Sequence, residues 1–227
     1  MTDIFIHVGL QKTGTTFIQE KVFKNIDVNY IRYVDRELYH SSFDDSKPLL
    51  ISNEDLCGSP HAIFDETLKN NREHIARNLS ILFPNAKIIL GLREPCAWLK
   101  SLYREAVRQG LYLSYNKFYD MFDKEMLNFD RYIKLLRTLF HNVFIYSYED
   151  LKKDYWSVIY SLCGFIGVQV PTIVENKLIN QSLRSWQLPG FRLVNHFLYS
   201  KDSNPYGVIP HIWFGYIYNK IRGDGLQ

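Results

Sequence analysis

Residues 4–19 read Ile4-Phe5-Ile6-His7-Val8-Gly9-Leu10-Gln11-Lys12-Thr13-Gly14-Thr15-Thr16-Phe17-Ile18-Gln19. Ile4–Val8 has the composition of a buried strand, Gly9 and Gly14 bound a short loop, and a helix opens after Gly14. Strand, tight loop and helix start together make an anion-binding turn. The first N–H groups of a helix lack intrahelical acceptors and carry partial positive charge. The hydroxyls of Thr15 and Thr16 and the ammonium of Lys12 add donors to the same small volume. The competing reading is a turn that merely caps the helix, since Thr16-x-x-Gln19 fits a capping box.

Gly9-x-x-x-x-Gly14 copies the glycine frame of the P-loop, G-x-x-x-x-G-K-[ST]. Thr15 stands where the P-loop Lys belongs, and a Lys occurs inside the loop instead, at Lys12. There it would sit beside a 5′ phosphate group, where a bond to that group could break. The stretch resembles the 5′-phosphosulfate loop, commonly P-K-[ST]-G-[ST]-[ST], of sulfotransferases that use PAPS (3′-phosphoadenosine 5′-phosphosulfate). Gln11 replaces the frequent Pro. The resemblance implies that Lys12, Thr13, Gly14, Thr15 and Thr16 bind the donor.

A second strand end supplies a matching half. Lys87-Ile88-Ile89-Leu90-Gly91-Leu92-Arg93 is a continuous apolar run closed by an Arg, as a strand buried on both faces requires. Pro95 opens the following helix and Gly110 lies past its end. Arg93, with Pro95, Ser101 and Tyr103 after it, resembles the same family's 3′-phosphate motif. A guanidinium grips a phosphate dianion in a bidentate fork, and the Ser101 hydroxyl donates one bond more. The alternative places Arg93 in an ion pair with Glu94 or Glu105 and Ser101 on the helix surface. Arg104 and Arg108 continue the face of Ser101, as added positive surface or as a solvated face.

The remaining chain alternates strands and helices. Strands are expected at Asn29–Val34, Pro48–Ser52 and Val143–Tyr146, and helices over Phe64–Leu82, Asn116–Leu139, about Tyr148–Leu162 and Ser182–Leu198, the last with an interruption at Pro189-Gly190. Glu149 and Asp150 fit a helix N-terminus. The expected fold is α/β, a P-loop-like parallel sheet with helices on both faces and ligands at the C-terminal strand ends, forming one sulfotransferase domain over residues 1–227.

The totals fit this picture. The 227 residues are 46% hydrophobic and 22% charged, an ordinary globular balance. A net charge of +3 argues for no nucleic-acid partner and suits a small anionic ligand. Cys57, Cys96 and Cys163 are scattered, without a zinc spacing or a disulfide framework. No signal peptide and no run of about eighteen apolar residues is visible, so a cytoplasmic protein is expected. The aromatic stretch Val208–Tyr218, followed by Lys220 and Arg222, is read in two ways. It either rests on the inner membrane face beside a lipid-linked acceptor or packs on the core or a second subunit.

The reaction implied is transfer of a sulfuryl group from PAPS to an acceptor hydroxyl, on a glycan or glycolipid by resemblance. Lys12 would stabilise the leaving oxygen, and no metal is expected. Glu54, closing the strand that ends in Ser52, is the first choice for general base. Asp35, Glu37 and His40 compete, and His61 is weaker. His7, inside the first strand, reads as a satisfied core histidine. Two other functions stay open: a P-loop kinase-like phosphotransferase using ATP and Mg²⁺, and a non-catalytic nucleotide-binding protein.

Overall fold

The computed structural model describes residues 2–32, 42–58, 71–172, 183–199, 207 and 209–210. Strand β1 (Ile4–His7) is the middle of a five-stranded sheet that also contains β2 (Asn29–Ile31), β3 (Leu49–Ser52), β4 (Lys87–Leu92) and β5 (Val143–Ser147), in the order β2-β3-β1-β4-β5. Every pairing is parallel. Ile6 lies opposite Ile51 on one side and Ile88 on the other, and Leu90 opposite Ile145. Phe5, Ile6, Leu50, Ile88, Ile89 and Leu90 are fully buried, which is why these strands read as unbroken apolar runs.

Because all strands run one way, their C-terminal ends share one edge. That edge receives the loop after β1, Arg32 after β2, Glu54 after β3, Arg93 after β4 and Tyr148 after β5. Such an edge is where open parallel sheets bind ligands.

The segment after the loop is shorter as an α-helix than its sequence suggests. Helix α1 covers only Thr15–Phe17 and continues through a π-helical stretch, Ile18–Val22, and a 3₁₀ turn, Phe23–Asn25. The capping box of the competing reading is absent: Gly14 is the N-cap, with φ 82° and no side chain to cap with. Gln19 instead turns into the sheet and donates to Ser52 Oγ at 2.9 Å.

Helix α2 (Arg72–Leu82) precedes β4, and α3 (Pro95–Arg108) follows it. The expected long helix over 116–139 is two, α4 (Tyr115–Met121) and α5 (Phe129–Leu139), separated by a 3₁₀ turn at Lys124–Leu127. Side chains of Ser114, Asp123 and Asn128 each accept a backbone N–H at the start of one of these pieces. After β5, Ser147 caps α6 (Tyr148–Lys153), with Glu149 and Asp150 in its first turn as expected. Asp154 caps α7 (Tyr155–Ile166), and Gly167 closes it at φ 83°. Pro189 lies in the first turn of α8 (Leu188–Phe197), so it starts that helix rather than interrupting one. Leu198–Tyr199 (β6) pairs with Ile209–Pro210 (β7).

The described residues group into two compact units. The first draws on 1–60, 68–98 and 123–180 and contains the sheet; the second draws on 61–67, 99–122 and 181–227. In the first, Phe5, Ile18, Val22, Phe23, Leu50 and Ile89 pack with Tyr146, Ile159, Leu162 and Cys163 in one core. In the second, Tyr103 packs on Tyr115 and Phe118, and Asn195 donates to the carbonyls of Val107 and Leu111. Arg192 donates to Tyr112 O, and Arg104 to Ser185 Oγ. Among the described residues no helix is long and apolar enough to cross a membrane. Of the aromatic stretch, only residues 209–210 have a described backbone, so its surface role lies outside the described residues.

Candidate active site

The loop after β1 is held by its carbonyls. Leu10 O accepts from Thr13 Oγ1, Gln11 O from Trp98 Nε1 at 2.8 Å, and Lys12 O from Arg93 Nη1 at 3.1 Å. Three consecutive peptides therefore have their oxygens drawn to named donors. In a trans peptide the N–H points opposite to the C=O, and no cis peptide occurs among the described residues. The N–H groups of Gln11, Lys12 and Thr13 consequently face away from Thr13 Oγ1, Trp98 and Arg93. The first helical bond beyond them is Ile18 N–H to Gly14 O, which leaves the Thr15, Thr16 and Phe17 amides without intrahelical acceptors. Amides left over in this way at a loop and a helix start can form an anion nest.

Lys12 takes φ 66°, the one left-handed non-glycine among the described residues. Such a conformation costs on the order of 1 kcal/mol or more and persists where neighbours over-determine it. Here the bonds to Gln11 O and Lys12 O do so. Gly14 is also left-handed, and a Cβ there would meet Leu151 Cδ2 at 2.5 Å. At Gly9 a Cβ would lie 2.5 Å from Thr15 Cγ2 and 2.7 Å from His7 Nε2, so the loop enters over its own helix only without a side chain.

Glu54 opens a 3₁₀ turn (Glu54–Cys57) after β3, capped by Asn53. Thr15 Oγ1 donates to Glu54 Oε1 at 2.6 Å, tying the carboxylate to the loop. Burial raises the Glu54 pKa, opposed by the Thr15 hydrogen bond and by the charges of Arg32 and Lys12. A partly desolvated carboxyl whose pKa is raised is a stronger proton acceptor than an exposed one.

Arg93 has two roles in this edge. Besides its bond to Lys12 O, its guanidinium lies over the Tyr148 ring, 4.3 Å from the centroid. Stacking fixes the plane of the fork. Glu94 caps the start of α3 by accepting from Cys96 and Ala97 N–H, and Glu105 accepts from Arg108 Nε at 3.0 Å.

Beneath the loop runs a buried polar chain. Gln19 Nε2 reaches Ser52 Oγ at 2.9 Å, Ser52 Oγ reaches His7 Nδ1 at 2.8 Å, and His7 Nε2 reaches Tyr146 OH at 3.1 Å. Tyr146 is hydrogen-bonded to the Thr13 side chain, which ends the chain on Leu10 O. Burial alone holds His7 neutral, its pKa lowered to about 3, and pushes the Tyr146 phenol up. His7 is thus the satisfied core histidine that its place in the strand suggested.

The sequence matches the family model described as a sulfotransferase domain over residues 1–196. The chain belongs to the sulfotransferase family. Among solved structures it is similar to the sulfotransferase from Alicyclobacillus acidocaldarius, with 15% identity, 86% of this chain and 93% of that chain covered, and a TM-score of 0.51. It is also similar to mouse sulfotransferase SULT7A1 complexed with PAP, with 16% identity, 86% and 64% covered, and a TM-score of 0.44. No curated protein matches it. The first likeness bears out the α/β fold with an all-parallel sheet and flanking helices.

Within this sulfotransferase, the structure brings Lys12, Thr13, Gly14, Thr15, Glu54 and Arg93 to one sheet edge, and Thr16 follows half-buried in α1. Ser101 belongs to the second unit. It is buried on α3 rather than on a surface, and its Oγ has no hydrogen-bond partner among the described residues. Asp35, Glu37, His40 and His61 lie outside the described residues. Sequence reasoning missed Trp98, because a Trp on the apolar face of a helix looks like core; only its indole N–H at a loop carbonyl distinguishes it. It also missed the stacking role of Tyr148 and the charge of Arg32 beside Glu54.

Proposed function

We propose that this sulfotransferase transfers the sulfuryl group of PAPS to a hydroxyl on a carbohydrate or glycolipid. The observation that carries the reading is the coupling of the two motif halves, Arg93 bonded to the backbone of Lys12, at the C-terminal edge of the sheet. The donor set on this edge fits the group: the loop and helix-start amides, one ammonium and a stacked guanidinium. Lys12, Thr13, Gly14, Thr15 and Thr16 hold the 5′-phosphosulfate and Arg93 the 3′-phosphate, to which the family resemblance also assigns Ser101.

PAPS, when bound, supplies a sulfuryl group on a 5′-phosphate oxygen. Glu54 takes the proton of the acceptor hydroxyl as that oxygen bonds to sulfur. The Lys12 ammonium meets the negative charge left on the 5′-phosphate oxygen as the S–O bond breaks. The loop amides, already aimed by their tied carbonyls, stabilise the same charge without rearranging; each well-placed donor of this kind contributes about 3 kcal/mol.

The test is calorimetric titration with adenosine 3′,5′-bisphosphate in EDTA, followed by transfer of labelled sulfate from PAPS to a panel of glycans and glycolipids. Metal-independent binding and a labelled glycan are expected. Binding only of ATP with Mg²⁺ would overturn the donor, and label on non-carbohydrate hydroxyls alone would overturn the acceptor class.

A further inference from the structure

The buried chain from Gln19 to Leu10 O has a direction. Its first group, the Gln19 amide N–H, only donates, and its last, the Leu10 carbonyl, only accepts. Thr13 has one hydroxyl proton and gives it to Leu10 O, so Tyr146 must donate to Thr13. Tyr146 then accepts from His7 Nε2–H, and His7 Nδ1 accepts from Ser52, which accepts from Gln19. Each group has one proton to pass and one partner to pass it to. No proton is moved; the orientation is static.

The output of this chain is a loop peptide. Thr13 is the dedicated donor to the first of the three tied carbonyls, and that peptide presents the Gln11 N–H to the nest. Ser52, His7 and Tyr146 sit on β3, β1 and β5, so three strands fix where Thr13 points. Space is fitted to them: a Cβ on Gly91 would lie 2.5 Å from Tyr146 OH and 2.9 Å from Thr13 Oγ1.

We propose that Ser52, His7 and Tyr146 are positioning residues for sulfuryl transfer, acting through Thr13 to hold the Leu10–Gln11 peptide with its N–H aimed at the donor's 5′-phosphosulfate. The proposal rests on the PAPS reading above. Thr13 serves the site through its backbone N–H, and its hydroxyl is committed to the fold.

Tyr146→Phe removes one hydroxyl from a full pocket, and Thr13→Val removes the other nearly isosterically. Each should lower affinity for adenosine 3′,5′-bisphosphate and kcat by about tenfold, the worth of one misdirected hydrogen-bond donor, with the acceptor KM unchanged. Thr13→Ser should restore wild-type values. The double variant should be no worse than Thr13→Val alone, because both cut the same chain. Nitrogen NMR of His7 in the unliganded protein should show the proton on Nε2, independent of any ligand. Wild-type kinetics in Tyr146→Phe, additive losses in the double variant, or a proton on Nδ1 each overturn the proposal. A wild type that fails to bind the bisphosphate sinks the PAPS reading, and with it the positioning role, while the NMR result still decides the direction of the chain.

Discussion

Arg93 Nη1 donates to the carbonyl oxygen of Lys12, 3.1 Å away, across the ends of the strand pair β1–β4. The bond joins the residue expected at the ribose phosphate to the residue expected at the reacting sulfur. It also helps hold Lys12 at φ 66°. Under the proposed reading, this bond couples recognition at one end of the donor to catalysis at the other.

Lys12→Ala should lower kcat by about 10²–10³, the usual loss on removing one preorganised stabiliser of developing charge. Affinity for adenosine 3′,5′-bisphosphate should fall far less, because the loop amides remain. Single-turnover transfer beside calorimetry separates the two effects.

Arg93→Lys keeps the charge but loses the fork and the stacking on Tyr148. We expect about tenfold weaker bisphosphate binding, from the loss of charge-assisted hydrogen bonds. Ser101→Ala should cost about fivefold, a single hydroxyl bond. Ser101→Ala should leave the affinity for adenosine 5′-monophosphate nearly unchanged, while Arg93→Lys should weaken it as well because the bond to Lys12 O is lost, so the two ligands' dissociation constants measured side by side are the check.

Glu54→Gln should lower kcat by about 10²–10⁴, the range for a lost general base. Since burial raises the Glu54 pKa in the fold, wild-type activity should fall with decreasing pH from a point above the ordinary glutamate range, and the variant should lack that limb. Stability runs the other way. A raised carboxyl pKa favours the fold when protonated, so its contribution is present at low pH and lost as pH rises through the folded value. Urea denaturation should therefore show Glu54→Gln gaining on wild type as pH is raised from about 4 to about 8.

Protonation of His7 is resisted by the fold, its pKa being lowered from 6.5 to about 3. Above 6.5 both folded and unfolded states carry neutral histidine and nothing is gained or lost. Below 6.5 the unfolded chain takes up a proton that the fold refuses. Stability then falls by up to about 1.4 kcal/mol per pH unit until the folded value is reached. His7→Gln should be less stable at about pH 7, because the chain is cut, but should lose less on acidification to about pH 5, as read by urea midpoints.

Gly14→Ala should disable the loop by both strain and collision. The position needs φ 82°, and the new Cβ would meet Leu151 Cδ2 at 2.5 Å. We expect a loss of about 1–3 kcal/mol in stability and no detectable bisphosphate binding.

The order of chemistry along the chain was legible from residues alone. Apolar runs at β1, β3 and β4 announce buried parallel strands, because a strand covered on both faces has no polar side to show. Glycines at 9 and 14 around Lys12 announce the anion loop, because few other residues allow such a turn. Arg93 at the end of β4 was legible for a related reason: in a parallel sheet, the residue after a strand's last apolar position lands on the ligand edge. The partners of Gln19, Trp98 and His7 could not be read this way. The capping box at Thr16 and Gln19 satisfies a local pattern that lost to a long-range partner, Ser52, 33 residues away. Trp98 and Gln11 are 87 residues apart, and His7 and Tyr146 are 139 apart. Local spacing records periodicity and turn chemistry, and these were enough to set out the sheet, the loop and the charged groups at its edge. Which carbonyl each buried donor satisfies depends on the groups that the closed sheet brings within hydrogen-bonding distance, and that pairing exists only once distant strands have met.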